Sequence, residues 1–326
     1  MRKLLVIAVC FAFVAPAGAR ASHPDDVYWH PWMGTGPDSP VWAMAVYDGD
    51  LIVAGDFTTI GGVAANHIAA WNGDFWSPLG TGIETPVRHL AVYDGKLIAG
   101  TNFDAPIGGW SHLVTAWDGF SWSPMSSDSH SVTVLQCSDG ELVAGWRDSG
   151  CSGEICWESC WVSSWNGSSW DIFGSFISQD WTPVVFPPAT VRFLTRYDSQ
   201  WVAGGSFSHA SGVRVGSLAA YDGESWSPLD SWNAYTMWLY ASTVRDSALI
   251  VGGAFGNLSA WDGSSWSMIE PQLGEFDFVG ILGLYDGDLI VGGEFDPGSG
   301  GVPSEKSILT NIDVSIGKLI FEMDEK

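Results

Sequence analysis

The chain alternates short apolar runs with glycine-containing turns along most of its length. Val87 to Val92 is one such run, Leu97 to Ala99 is another, and Asp94-Gly95 lies between them. Asp-Gly and Asn-Gly favour two-residue hairpin turns because Gly and Asn accept positive φ. The pattern therefore predicts antiparallel strands joined by tight turns, and after the N-terminal run it shows no convincing helical period.

Two phrases recur along the chain. The first consists of an aromatic residue, Asp-Gly or Asp-Ser, an apolar strand and a Gly-aromatic ending, although two copies lack the leading aromatic. Its six copies begin at Tyr47, Tyr93, Asp139, Tyr197, Asp246 and Tyr285. The second phrase, aromatic-Asn/Asp-Gly-x-x-Trp, has five copies: Trp71–Trp76, Trp117–Trp122, Trp165–Trp170, Tyr221–Trp226 and Trp261–Trp266. Each phrase predicts one hairpin, so one unit holds four strands.

The second unit defines strands A to D of the repeat. They are predicted at Val87–Tyr93, Lys96–Gly100, Leu113–Trp117 and Ser121–Met125. Four antiparallel strands per unit are typical of a propeller blade. We therefore predict an all-β fold, a six-bladed β-propeller of four-stranded antiparallel blades. Its units lie near residues 41–82, 87–127, 132–176, 191–231, 237–270 and 278–326.

Residues 58–80 carry the fullest copy of the unit, with Gly61-Gly62, Asn66, Ala69-Ala70-Trp71 and Trp76. This unit resembles the kelch repeat, and it is more similar still to repeats of secreted bacterial propellers and of the fungal cortical polarity marker family. The resemblance covers roughly residues 29–305 and implies a propeller, but it implies little about function. Residues 306–326 match no unit.

The N-terminal segment 29–36 resembles a strand D. Trp29-His30-Pro31 corresponds to Trp76-Ser77-Pro78, and both segments continue to Gly-Thr-Gly. The last unit lacks the second phrase and therefore a recognisable strand D. We predict that segment 29–36 is the outer strand of blade six and closes the ring, which would remove an open sheet edge.

Residues 1–21 have the pattern of a secretory signal peptide. Arg2 and Lys3 precede an apolar run from Leu4 to Val14, and small residues around Ala19 and Ala21 offer cleavage sites. The run is shorter than the ~20 residues that span a bilayer. We expect residues 22–326 to form a single domain that is secreted, periplasmic or extracellular.

The formal net charge of −24, from 13 basic and 37 acidic residues, disfavours nucleic acid and anionic membranes as partners. Asp48-Gly49-Asp50 and Asp286-Gly287-Asp288 resemble calcium loops, but they lack the longer run of oxygen ligands that such loops use. Turn chemistry explains them. We expect a soluble monomer without membrane insertion.

No catalytic motif stands out. The chain has no Gly-x-Ser-x-Gly elbow and no His-Glu-x-x-His, and its seven histidines are scattered. We expect no catalytic residue, no metal and no cofactor. Two function classes stay open: a non-catalytic binding or surface-interaction propeller for a protein or glycan, and a carbohydrate-active or other hydrolytic enzyme.

The mature chain contains four cysteines, an even number in an exported protein, and we expect all of them to be disulfide-bonded. They are Cys137, Cys151, Cys156 and Cys160. Three pairings are open. The last three cysteines share one predicted B–C loop, so at least one bridge should be local.

We expect any ligand to bind where the B–C and D–A connections lie, because the A–B and C–D turns are short and uniform while these connections vary. The candidate residues are Trp110, His112, Arg147, Trp181, His209 and Arg214. The alternative is that these loops vary because nothing constrains them.

Overall fold

The computed structural model describes residues 36–101, 114–126, 130–152, 155–178, 189–229, 238–254, 258–269, 278–285, 287–294 and 308–311. Within these ranges the chain forms β-strands and no helix, and so no helix that could span a membrane. The predicted signal peptide lies outside the described residues, as does all of the predicted closing segment except Gly36.

The strands group into six successive units. Units one and two contain β1 (Val41–Tyr47), β2 (Asp50–Gly55), β3 (Thr59–Ile60), β4 (Val63–Ala64), β5 (Ile68–Trp71), β6 (Trp76–Pro78), β7 (Val87–Tyr93), β8 (Lys96–Thr101), β9 (Val114–Trp117) and β10 (Trp122–Pro124). Units three and four contain β11 (Ser131–Ser138), β12 (Glu141–Ser152), β13 (Ile155–Trp165), β14 (Trp170–Ile177), β15 (Thr190–Tyr197), β16 (Gln200–Ser206), β17 (His209–Ala210), β18 (Val213–Arg214), β19 (Leu218–Tyr221) and β20 (Trp226–Pro228). Units five and six contain β21 (Leu239–Arg245), β22 (Ala248–Gly253), β23 (Leu258–Trp261), β24 (Trp266–Met268), β25 (Phe278–Tyr285), β26 (Asp288–Glu294) and β27 (Ile308–Asn311).

Units one to five each contain four antiparallel strands in sequence order, as predicted, and β3–β4 and β17–β18 are additional short hairpins. The first strands of successive units pack on one another in the order β1, β7, β11, β15, β21 and β25. The fold is therefore an all-β, propeller-like array of repeated four-stranded sheets.

The A–B turns are two-residue turns, as predicted. Asp48 and Gly49 have φ values of 51° and 88°. A type I′ turn requires a positive φ at both of its central positions. The prediction of two-residue C–D turns is wrong. Trp71 pairs with Trp76, which leaves a four-residue loop. In that loop the Asn72 side chain accepts hydrogen bonds from the N–H groups of Asp74 and Phe75 at 2.9 and 3.0 Å.

Tryptophans of the second phrase join neighbouring units. The Trp122 Nε1–H donates to the Leu79 carbonyl of the preceding unit at 3.1 Å. The Trp226 Nε1–H donates to the Phe173 carbonyl of the preceding unit at 2.8 Å. These indoles also help to fill the apolar cores between the sheets. They therefore contribute to packing between units.

Three departures from the predicted repeat appear. The predicted B–C loop of unit three is instead an extension of the β12–β13 hairpin. The B–C connection of unit four, which was predicted to be a loop, contains the hairpin β17–β18, and β17 pairs with β14 to extend the sheet of unit three to six strands. In unit six, β27 pairs in parallel with β26, so the described sheet there is not a four-stranded antiparallel one.

Each first strand contains a β-bulge at the same place, close to its N-terminal end. The six bulge residues are Trp42, Arg88, Thr133, Arg192, Tyr240 and Gly280. This position is at the end of the units that carries the B–C and D–A connections, which we call the loop end. The opposite end, which carries the A–B and C–D turns, is the turn end.

Candidate functional site

Three of the six predicted ligand residues, Trp110, His112 and Trp181, lie outside the described residues. Arg147 is in β12 at the loop end. His209 and Arg214 lie directly opposite each other in the β17–β18 hairpin. His209 Nδ1 and Ser208 Oγ are 2.8 Å apart, so the imidazole forms a local hydrogen bond.

The structure does not bring Arg147 together with His209 and Arg214. In the sheet of unit three, Arg147 pairs with Cys160, Cys160 with Phe176, and Phe176 with Ala210 beside His209. Neighbouring strands are about 4.8 Å apart, so three steps amount to roughly 14 Å. Arg147 therefore lies on the second strand of this sheet, whereas His209 and Arg214 lie on its two outermost strands.

The bulge residues include two separate pairs of a cation and an aromatic ring, which the sequence reasoning missed. We call Trp42, Arg88, Arg192 and Tyr240 the bulge cluster. The Arg88 guanidinium carbon lies 3.9 Å from the centre of a Trp42 ring, and Nη2 of Arg88 lies 3.2 Å from Oδ1 of Asp56. The Arg192 guanidinium carbon lies 4.2 Å from the centre of the Tyr240 ring. Each pair joins two neighbouring units by a cation–π contact.

Arg192 experiences an unusual electrostatic environment. Burial lowers the pKa of Arg192 below its ordinary value, Tyr240 partly offsets that effect, and the nearby charge of Arg147 lowers the pKa further. Strands β12 and β15, which carry Arg147 and Arg192, approach closely. A Cβ built on Gly145 of β12 would lie 3.7 Å from the Cβ of Val191, the residue before Arg192. Two arginines of neighbouring units therefore share this part of the loop end.

Buried polar atoms without a hydrogen-bond partner concentrate near the bulges. Within the described part of the chain they include Trp42 Nε1, Thr101 Oγ1, Thr133 Oγ1, Arg192 Nε and Ser206 Oγ. Leaving such a group unsatisfied costs about 1–3 kcal/mol, and more for a charged group. A polar environment supplied from outside the chain, by a ligand or by water, would offset this cost.

Two histidines lie close to this region. His130 Nε2 is 3.9 Å from Asp148 Oδ2, and its ring makes an edge contact with Trp161 at 4.8 Å. His89 follows the bulge residue Arg88, and burial lowers its pKa from 6.5 to about 4. His89 is therefore neutral at physiological pH. Across the described ranges, no three His, Cys, Asp or Glu side chains converge in a way that could hold a metal ion.

The disulfide predicted at Cys137 is not shown in the structure. Cys137 has a free thiol and lies opposite Leu142, whereas Cys151 is nine residues further along β12, roughly 30 Å away. A disulfide needs Cα atoms within about 7 Å. A bridge from Cys137 to Cys151 does not fit this register, and the bridging of all four cysteines remains a prediction. In the backbone register Cys151 lies opposite Cys156, and their side chains lie outside the described part.

No protein-family model matches the chain, and no curated protein matches it. Among solved structures, the chain is similar to the computationally designed Ika8 protein, with 15% identity, a TM-score of 0.50, and coverage of 80% of this chain and 70% of that one. This likeness bears on the fold alone.

Two further solved structures have TM-scores of 0.40. One is the extracellular domain of a one-component system, BT4673, from B. thetaiotaomicron, with 9% identity and coverage of 79% of this chain and 38% of that chain. The other is Drosophila Semaphorin 1a, extracellular domains 1-2, with 11% identity and coverage of 76% of this chain and 71% of that chain.

Proposed function

We propose that this protein is a secreted, non-catalytic binding propeller of kelch-like type, whose ligand binds at the loop end against the bulge cluster. The observation that carries this proposal is the unsatisfied buried Nε of Arg192 against Tyr240, with the unsatisfied hydroxyl groups of Thr133 and Ser206 on adjacent strands. Function on rigid scaffolds concentrates where loops meet, and the cluster stands on strands that fix its geometry.

The composition of the cluster favours binding over hydrolysis. A hydrolytic site of the glycosidase type uses a pair of carboxyl groups. In the described part of the chain, the carboxylate that contacts the bulge cluster is Asp56, and Arg88 engages it at 3.2 Å. Cations and rings without a pair of acids suit recognition of a ligand.

We further propose six blades closed by the N-terminal segment. The contacts of Asp38 support this arrangement, because its N–H donates to the Thr59 carbonyl in β3 at 3.0 Å. In unit four the equivalent hairpin strand β17 pairs with β14, the outer strand of the preceding unit. The contact of Asp38 with β3 therefore matches what the end of an outer strand from a preceding unit would make, which supports the proposal.

A binding screen run beside an activity panel tests the function. Residues 22–326 are offered arrays of neutral and acidic glycans and peptides, and hydrolysis of the same compounds is followed. We expect at least one ligand, no turnover, and weaker binding by Tyr240→Ala. Ser247→Gly, in the turn at the other end of the β21–β22 pair, is the matched control. Turnover, or equal loss in the control, would refute the proposal.

A further inference from the structure

Among the described residues Arg192 has no carboxylate partner, whereas Arg88, Arg196 and Arg245 each have one. Arg196, four residues along the same strand, lies 3.5 Å from Asp139 and 3.6 Å from Glu141. Arg245 lies 3.4 Å from Asp246. Across the described part of the chain, no Asp or Glu lies within 4.0 Å of Arg192, and its Nε has no hydrogen-bond partner.

The repeat explains why this counter-ion is missing. Arg88 of unit two is paired with Asp56 of unit one. Asp56 lies two residues beyond Ala54, and Ala54 is the register partner of the residue after the bulge, Ala43. In unit three the equivalent position is Arg147, two residues beyond Gly145, the partner of Val134. Arg192 of unit four therefore faces a preceding unit that offers a cation where unit one offers a carboxylate. Arg192 lies instead against Tyr240 of the following unit.

We propose that Arg192 binds a carboxylate group of the ligand at the loop end, beside Tyr240. This inference rests on the proposed function, because it names the chemistry of the ligand for the same site. A carboxylate would replace the counter-ion that the repeat supplies to Arg88. The planar guanidinium suits this role because it binds carboxylates in a bidentate manner.

The surroundings of Arg192 suit a small anion. The Tyr240 ring orients the guanidinium from one side. Ser206, opposite Thr190 in the β15–β16 register, and Thr133, the bulge residue of unit three, are hydroxyl groups at the same level, and both lack a hydrogen-bond partner. Hydroxyl groups can donate to an anion. Partial burial strengthens each such contact relative to a fully solvated one.

Calorimetric titration of the mature protein at low salt tests the proposal. The probes are galacturonate, an N-acetylated dipeptide with a free C-terminal carboxylate, its C-terminal amide, neutral galactose and inorganic sulfate. The variants are Arg192→Gln, Arg192→Lys and Arg147→Asp, with Arg196→Gln as the control that makes the same charge change on the same strand. Circular dichroism checks the fold of each variant.

We expect at least one carboxylate probe to bind more tightly than its neutral counterpart. Arg192→Gln should lower that affinity by about 10- to 100-fold, the effect of losing hydrogen bonds to a charged group. Arg192→Lys should retain part of it, and Arg196→Gln should retain all of it. Arg147→Asp should abolish binding without loss of the fold, because it restores the type of ion pair found between Asp56 and Arg88. Comparing the affinities for galacturonate and for the dipeptide distinguishes a sugar-acid ligand from a peptide C-terminus.

Three outcomes would overturn the proposal: no carboxylate probe binds, sulfate alone binds, or Arg196→Gln weakens binding as much as Arg192→Gln. A neutral ligand that binds equally well to wild type and Arg192→Gln would overturn the carboxylate site while the proposed binding function stands. Turnover of a ligand would refute the proposed function while an Arg192-dependent carboxylate affinity would still support this site.

Discussion

Gly205→Ala should destabilise the protein because the second glycine of the Gly-Gly doublet faces the backbone of the bulge. A Cβ built on Gly205 would lie 2.0 Å from the Thr190 carbonyl oxygen and 3.0 Å from the Arg192 nitrogen. Real Cβ atoms essentially never approach a neighbour closer than 3.0 Å. The first two strands of unit four must therefore move apart locally by about 1 Å, and the obstacle is backbone, which cannot rotate away.

The magnitude follows from the cost of overpacking, which is typically about 1–3 kcal/mol. We expect a value at the upper end, about 2–3 kcal/mol, reduced slightly by the lower chain entropy of alanine in the unfolded state. For a domain of this size, each kcal/mol lowers Tm by about 2–4 °C. Gly205→Ala should therefore lower Tm by roughly 4–12 °C.

Thermal unfolding followed by circular dichroism measures this effect, with Gly36→Ala as the control because a Cβ there meets nothing within 4 Å. The same variant should weaken binding of the carboxylate probe, since the shifted backbone carries Arg192. A Tm within 1–2 °C of wild type (about 1 kcal/mol at most) would refute the reasoning. The bulge would then relax as it does in unit two, where Thr101 occupies the equivalent position opposite Val87.

Three further predictions concern pH, cysteine chemistry and closure. The pKa of His89 is about 4 in the folded protein and 6.5 in the unfolded chain, so the unfolded chain takes up a proton first as the pH falls. The free energy of unfolding should therefore fall by at most about 3 kcal/mol between pH 6.5 and pH 4. Urea titrations should show a weaker pH dependence of this free energy for His89→Asn, and the same pH dependence as wild type would contradict the prediction. Non-reducing peptide mapping should find Cys151 linked to Cys156, and free thiols at both would contradict the register-based pairing. The Asp38 carboxylate accepts hydrogen bonds from the Thr58 and Thr59 N–H groups at 2.8 and 3.1 Å. Asp38→Ala removes both bonds and should lower the free energy of unfolding by about 1 kcal/mol. An unchanged urea midpoint would show that this attachment of the N-terminal segment does not contribute to stability.

The strands and the A–B turns could be predicted because their signals are local. Apolar runs and Asp-Gly pairs act within a few residues, and the observed strand β7 (Val87–Tyr93) coincides with its prediction. The C–D loops could not be read the same way. Asn72-Gly73 also fits a two-residue turn, and the longer loop depends on the side chain of Asn72 accepting two backbone hydrogen bonds.

The candidate site could not be predicted from local pattern, because it arises where strands of different units meet. Arg192 lies in the apolar run Val191–Leu194 and has no motif around it. One signal was available. Arg88 and Arg192 each lie five residues before the tyrosine of the first phrase, so aligning the units places both at one repeat position. Their different partners depend on the register of the preceding unit, which the sequence alone does not reveal.

Departures from the repeat explain why one place on the loop end can be distinguished from the others. Identical units would present the same residues six times around the array and could not create one distinct site. Here unit three carries Arg147 where unit one carries Asp56, and unit five carries Tyr240 where unit three carries Thr133. Both departures flank Arg192. The equivalent arginine of unit two, Arg88, pairs with a carboxylate, whereas Arg192 of unit four lies near a second cation and an aromatic ring. A ligand carboxylate would complete in unit four the ion pair that Asp56 and Arg88 make within the chain.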